Sequence, residues 1–341
     1  MAWCWMALPG MALWLAPWGL AEALGAAAAP AGGSASDAVS LLQSGPGLAG
    51  GHFYYMHIPR TAGTSFALDT NKILAQNFNL LNPLTLESKE GCYKWRDRGG
   101  VSWVATMVRS PRNHVLSQYL LCGEGTIALM TSVQKGPGGF GLWVNEWRDI
   151  FRRGKFAGDY TALDGEPQHK NEQYLLFSSM PHKCYNPINL QTHHFTCTHP
   201  FIYEKNGTDI ELALSNMKKT RFVGIQEAYQ ESVCLFASKV KDEMPEFCDC
   251  RNEAMWNSFE PAGHFSSHSH KGKTPRNVTR HGQEVLQQID EITALDRIVY
   301  KAAIERFIGE CRLVEEKFSK KILCEDKMQQ LQELANLAPE G

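Results

Sequence analysis

Short apolar runs, each closed by a turn and followed by helical spacing, recur three times along this chain. Phe53-Tyr-Tyr-Met-His-Ile58 is apolar and aromatic almost throughout and ends at Pro59, the mark of a strand buried on both faces. Past the turn, Thr64-Ser65-Phe66-Ala67-Leu68 opens a helical stretch. Trp103-Val-Ala-Thr-Met-Val108 repeats the pattern, followed by Ser110-Pro111 and a helix over 112–121. Arg221-Phe-Val-Gly-Ile225 repeats it again and leads into a helix over 227–240. This alternation predicts an α/β domain with a parallel sheet covered by helices on both faces. From 283 to 335 the positions Val285, Ile289, Ile292, Leu295, Ile298, Val299, Ala302 and Phe307 keep helical spacing and predict two or more helices. No internal repeat is present, which argues against a solenoid.

The amino-terminal fifty residues break this pattern. Arg60 is the first Lys or Arg of the chain, and before it only Glu22 and Asp37 carry charge. Ala2 to Ala21 is a Trp/Leu/Ala/Met-rich run about long enough to cross a bilayer, followed by small-residue cleavage options. Residues 1–24 read as a secretory signal peptide or signal anchor. Residues 25–51, rich in Gly, Ala, Ser and Pro, read as a flexible stem.

Composition narrows the class. The 341 residues, 43% hydrophobic and 21% charged, suit one large globular domain or two modest ones rather than a disordered or multi-span membrane chain. Thirty-four Lys and Arg against 36 Asp and Glu give no reason to expect a nucleic-acid partner, and membrane contact is expected only through the amino-terminal segment. Any anion site must therefore be local. Two sequons, Asn206-Gly-Thr208 and Asn277-Val-Thr279, and ten cysteines agree with a secretory route. Without Cys4 an odd number of cysteines remains, which leaves at least one free thiol. Cys184 with Cys197 and Cys311 with Cys324 are the first pairs to test, because they would close short local loops.

Two strand-end segments carry the candidate chemistry. Pro59-Arg60-Thr61-Ala62-Gly63-Thr64-Ser65 joins a strand to a helix, so its N–H groups and hydroxyls can cradle a phosphate-like anion at the positive helix end. Its spacing is not that of a Walker A loop, and no Lys follows the glycine, which argues against an ordinary ATPase or GTPase. Arg109 closes the second strand, Ser110 can cap the next helix with Pro111 at its first position, and Ser117 lies two turns in. An arginine at that edge can reach a second phosphate together with a helix hydroxyl. Two anion sites point to one ligand with two phosphates.

His57-Ile-Pro-Arg-Thr-Ala-Gly-Thr-Ser-Phe66 resembles the 5′-phosphosulfate loop of Golgi carbohydrate sulfotransferases. Val108-Arg-Ser-Pro-Arg-Asn-His-Val-Leu-Ser-Gln-Tyr119 resembles their 3′-phosphate motif, with the same spacing from arginine to serine. Asn171-Glu-Gln-Tyr-Leu175, Arg221-Phe-Val-Gly-Ile-Gln-Glu227, and Leu295-Asp-Arg-Ile-Val-Tyr300 with Arg306-Phe307 extend the likeness, which is nearest to the heparan sulfate 6-O- and 2-O-sulfotransferase branch.

The resemblance, which covers about 52–310 in outline, implies a P-loop-NTPase-like sulfotransferase fold for a catalytic domain at 52–315, and residues 316–341 read as a charged helical tail. It implies transfer of a sulfuryl group from 3′-phosphoadenosine-5′-phosphosulfate to a hydroxyl of a glycan, an anionic polysaccharide by expectation, with no metal. It places the chain in the Golgi lumen or among secreted proteins. Carried over by position, Arg60, Thr61, Ala62, Gly63, Thr64, Ser65 and Phe66 hold the 5′-phosphosulfate, and Arg109 and Ser117 hold the 3′-phosphate. Arg60 stands where the family usually has a lysine, and an arginine keeps the charge but cannot donate its proton. The family's basic histidine is missing, since residues 67–108 contain no His. Asp69, Glu87, Glu90 and Asp97 are the carboxylates of that window, and Glu90 is the first choice as general base. The competing reading is a secreted protein that binds the donor or a glycan without turnover. Lys271, Lys273 and Arg276 lie in a basic stretch free of acidic residues, where related enzymes close a loop over the nucleotide; contact with an anionic polysaccharide is the alternative role. His57 and His114 read as packing or cofactor-wall residues. His193-His194-Phe-Thr-Cys197-Thr-His199 lacks zinc spacing and reads as a loop or a wall of the acceptor cleft.

Overall fold

The computed structural model describes residues 52–77, 93, 101–123, 139–152, 186–197, 208–261 and 277–336. The leader, the stem and the segment 171–175 lie outside the described residues, as do Glu87, Glu90, Asp97, Cys184, Asn206, Lys271, Lys273 and Arg276.

The three apolar runs become one small parallel sheet in the order β1 (His52–Met56), β2 (Val101–Val108), β3 (Phe222–Ile225). Register pairs Tyr55 with Ala105 and Ala105 with Phe222, so Tyr55, Trp103, Ala105, Met107 and Phe222 share one face. Two helices cover that face: α1 (Gly63–Asn77), which follows β1, and α6 (Tyr229–Lys241), which follows β3 and the 3₁₀ turn Gln226–Ala228. Phe66 of α1 stacks on Tyr55 and Phe222, with ring centroids 5.6 and 5.4 Å apart, and meets Phe236 of α6 edge-on at 5.2 Å. Gly224 is required here, because a Cβ would lie 2.3 Å from the Met107 sulfur.

Most of the described residues are helical. After β2 come α2 (Pro111–Gly123), α3 (Phe140–Arg152), α4 (Leu190–Thr196) and α5 (Ile210–Lys219). After α6 come α7 (Glu253–Trp256), α8 (Gln283–Ile292), α9 (Ala294–Phe318) and α10 (Glu325–Asn336), so the carboxyl-terminal helical stretch is three helices. α9 also packs on β3, all four residues of which are buried. A second apolar cluster joins α2, α3 and α8 through Leu116, Trp143, Trp147 and Ile289. Within 316–336, Leu331 and Ala335 of α10 are buried in the main core.

Buried charge fixes the chain where it enters β3. Glu310 of α9 accepts from Lys239 at 2.8 Å and from Arg306 at 2.7 Å, with both Glu310 and Lys239 side chains 2% exposed. The two cations also donate to backbone carbonyls, Lys239 to Arg221 at 2.7 Å, and Arg306 to Met217 and Thr220 at 2.6 Å each. Burial pushes the Glu310 carboxyl up, and the attraction of Lys239 and Arg306 outweighs it to leave the pKa below the ordinary value.

Disulfides join Cys234 to Cys248 and Cys250 to Cys324. The expected Cys311–Cys324 pair is wrong. Cys311 lies on the buried face of α9, and the chain past the helix end folds back so that Ile322 N and Leu323 N both donate to Glu315, yet no bond to Cys311 forms. Its thiol is free and buried, while Cys324 turns to Cys250 instead. Cys197 is disulfide-bonded. Bonded cysteines indicate an oxidising secretory or extracellular environment. Among the described residues no helix is long and apolar enough to cross a membrane.

Candidate functional site

The turn after β1 is held in an unusual conformation by its neighbours. Arg60 (φ 64°) and Ala62 (φ 70°) both occupy the left-handed region, which costs a side-chain-bearing residue about 1 kcal/mol each. Hydrogen bonds compensate. Thr61 Oγ1 donates to Ile58 O at 2.9 Å, Arg109 Nη1 donates to Arg60 O at 3.1 Å, and His114 Nε2 lies 2.7 Å from Pro59 O. Gly63 is required for space rather than for its dihedral angle: a Cβ there would lie 2.1 Å from Cδ2 of the buried His57. Gly63 begins α1, whose first intrahelical bond runs from Phe66 N to Ala62 O at 2.9 Å. The N–H groups of Gly63, Thr64 and Ser65 therefore have no acceptor within the helix, and Thr64 is exposed beside them. Phe66 itself is fully buried and serves the core.

The second motif meets this turn directly. Pro111 is the first residue of α2, and Ser110 O accepts the first helical N–H, from His114 at 2.8 Å. Ser117, two turns in, accepts from Arg60 Nε at 3.2 Å. Arg60, Arg109 and Ser117, from two strand ends and a helix, are thus one hydrogen-bonded group. Arg109 Nε is buried without a partner. Burial pulls the Arg109 pKa down, Glu227 raises it, and Arg60 lowers it further.

Residues from three further elements fix the Arg109–Ser110 junction. Gln191 of α4 uses both ends of its amide, accepting from Arg109 N and donating to Arg109 O at 2.8 Å each. Asp296 of α9 orients Gln191 by accepting from Gln191 N at 3.2 Å and from Thr192 N and Oγ1 at 2.7 Å each. Glu227 accepts from Ser110 N at 3.0 Å and from Tyr300 Oη at 2.9 Å. No local sequence signal marks Gln191, and Asp296 stands in the resembling segment Leu295–Tyr300 without a role assigned to it there. Glu227 had one, since it follows the edge of β3 much as Arg109 follows that of β2.

A cleft of about 180 Å³ opens beside the second motif, lined among others by Ser110, Asn113, Asn277, Tyr300 and Leu334. None of the turn residues 58–63 lines it; its lining residue Ser110 is next in the chain to Arg109, which donates to Arg60 O of the turn. On the rim, Arg112 makes a bidentate ion pair with Asp290 at 2.5 and 2.8 Å. Asn277 of the second sequon is exposed there and accepts from Thr279 Oγ1 at 2.7 Å.

The other sequence candidates separate. Asp69 is taken up by Tyr229, whose hydroxyl donates to its carboxylate, and burial followed by that bond raises the Tyr229 pKa. His193 and His194 lie on α4 rather than on a loop, and both are buried. Among the described residues no group of three or more His, Cys, Asp or Glu could hold a metal ion.

His114 is neutral. Burial, the principal cause, and the Arg109 and Arg60 charges bring its pKa to about 3, against one opposing bond to Pro59 O. A proton on Nε2, facing Pro59 O, leaves Nδ1 to accept from Gln118 Nε2 at 3.3 Å. The stability His114 confers is complete above its ordinary pKa of 6.5 and is lost as pH falls toward 3. Asp296 has the opposite sign: burial raises it to about 6 despite its hydrogen bonds, so its contribution is complete below 3.8 and is lost as pH rises through 6. The two slopes cancel where they overlap. Replacing His114 with Asn is expected to expose the Asp296 slope: relative to the variant, the wild type loses about 1.4 kcal/mol per pH unit between pH 6 and 4. Urea unfolding of both proteins across that range checks it, and parallel profiles would show that His114 titrates normally.

Comparison with protein-family models, with curated proteins and with solved structures found no match.

Proposed function

We propose that this protein is a carbohydrate sulfotransferase of the secretory pathway, acting in the Golgi lumen or after secretion. It moves a sulfuryl group from 3′-phosphoadenosine-5′-phosphosulfate to a glycan hydroxyl, and the parallel sheet with its strand-end turns is the core of a P-loop-like sulfotransferase fold. The observation that carries this reading is the direct contact between the two motifs, Arg60 Nε on Ser117 Oγ and Arg109 Nη1 on Arg60 O. Anion sites this close suit the two phosphate groups of a single nucleotide.

The residues present fit such a donor. Three N–H groups at the start of α1, the exposed Thr64 hydroxyl and the Arg60 guanidinium can surround the 5′-phosphosulfate. Arg109, with its partnerless Nε, and Ser117 can hold the 3′-phosphate. The donor supplies an activated sulfuryl group and leaves as adenosine 3′,5′-bisphosphate. What the chain contributes is charge and position, the terms that dominate transfers of this kind. Arg60 stabilises the departing oxygen by charge and hydrogen bonding alone. With Asp69 held by Tyr229, Glu90 is the residue proposed to take the acceptor proton. The basic stretch with Lys271, Lys273 and Arg276 is proposed to close over the nucleotide.

One observation favours a second reading, donor binding without transfer: Arg60 Nε is already bound to Ser117, at the 3′ end of the proposed site. Calorimetric titration with adenosine 3′,5′-bisphosphate, paired with transfer of labelled sulfate to heparan, chondroitin and simple sugar acceptors, tests both. Binding with transfer is expected. Binding without transfer to any acceptor selects the second reading, and absence of binding refutes both.

A further inference from the structure

We infer that the carboxyl-terminal helix α10 is a working part of this anion site, with Lys327 as a positioning residue that acts through Glu227 on Arg109 and Ser110. The inference rests on the donor reading above and adds to it a segment that the sequence marks only as a charged tail. Lys327 Nζ donates to the backbone carbonyl of Glu227 at 2.9 Å and to Gln330 Oε1 at 2.9 Å. Glu227 sits on the 3₁₀ turn Gln226–Ala228 between β3 and α6, and α10 packs on that turn. Holding its carbonyl fixes where its carboxylate lies, and that carboxylate bonds Ser110 N and Tyr300 Oη and faces Arg109. One ammonium on α10 is therefore two contacts away from the arginine assigned to the 3′-phosphate.

Other contacts keep α10 in register for this task. The Cys250–Cys324 bond anchors the residue just before the helix, and Cys250 N donates to Lys321 O at 2.8 Å in the same crossing. Leu331 is fully buried, so the helix cannot rotate without exposing core. One turn on, Leu334 forms part of the wall of the cleft beside Ser110. The path from Lys327 reaches Ser110 and Arg109 before it reaches the turn 58–63, so its loss should fall on recognition of the 3′-phosphate.

The test compares adenosine 3′,5′-bisphosphate with adenosine 5′-phosphosulfate, which lacks the 3′-phosphate, on the full chain. Lys327→Ala is expected to weaken the bisphosphate about tenfold, the effect of losing one charge-assisted contact, and to leave the phosphosulfate unchanged. Lys327→Arg is expected to restore the difference. A Cys250→Ser/Cys324→Ser double variant, which retains Lys327 and frees its helix, is expected to show a smaller loss of the same selective kind. Wild-type affinity for both ligands in Lys327→Ala, or equal losses for both, overturns the inference while leaving the donor reading in place. A wild-type protein that binds neither ligand removes the donor reading and the inference with it.

Discussion

Replacing Arg109 with Gln is expected to weaken adenosine 3′,5′-bisphosphate about a hundredfold and adenosine 5′-phosphosulfate only a few-fold. A bidentate, charge-assisted arginine–phosphate contact in a partly buried site contributes about 3 kcal/mol, which is about two orders of magnitude in affinity. The few-fold loss has a separate source. Arg109 Nη1 also donates to Arg60 O, so removing the guanidinium loosens the turn that faces the 5′-phosphosulfate, where Arg60 and Ala62 sit in the left-handed region. Arg109→Lys separates the two roles, because it keeps a charge and a donor but loses the planar fork. It is expected to hold the phosphosulfate as well as the wild type does while recovering part of the bisphosphate affinity. Equal losses for both nucleotides in both variants would show that Arg109 braces the turn and contacts no phosphate.

What the sequence made legible follows the range of the forces involved. β2 and β3 are apolar because both faces are covered, so Trp103–Val108 and Phe222–Ile225 were readable as buried strands. Ser110-Pro111 was readable as a helix start because capping is a contact between near neighbours. Pairing over distance was not readable. Cys311 and Cys324 are close in sequence, yet Cys324 bonds Cys250, 74 residues away, and Cys311 stays a buried free thiol. Gln191 and Asp296 are 105 residues apart and lie in unlike surroundings, and only the fold brings the first onto Arg109 and the second onto the first. The role of α10 was hidden for the same reason: its composition is polar, and the one ammonium that reaches Glu227 across 100 residues looks like any surface lysine. Glycine misleads in its own way. In the turn 58–63 the left-handed residues are Arg60 and Ala62, so Gly63 is there because a neighbouring ring needs the space.

That spacing gives Gly63→Ala the closest clash among the described glycines. In the first turn of an ordinary helix the substitution stabilises by up to about 1 kcal/mol, since alanine is the better helix former and no positive φ is needed. Here the added Cβ would lie 2.1 Å from Cδ2 and 2.3 Å from Nε2 of His57. The imidazole cannot swing freely, because it is buried, with its ring tilted against Tyr55 at 5.8 Å. The start of α1 must move instead, and with it the N–H groups of Gly63, Thr64 and Ser65. Overpacking of this kind costs about 1–3 kcal/mol of stability. The expected result is a lower thermal midpoint together with loss of measurable phosphosulfate binding. Trimming the opposing ring distinguishes a steric cause from any special chemistry of glycine. A His57→Ala/Gly63→Ala double variant is expected to regain most of the binding that Gly63→Ala loses, and a double variant no better than the single one would show that His57 does not set the position of the helix start.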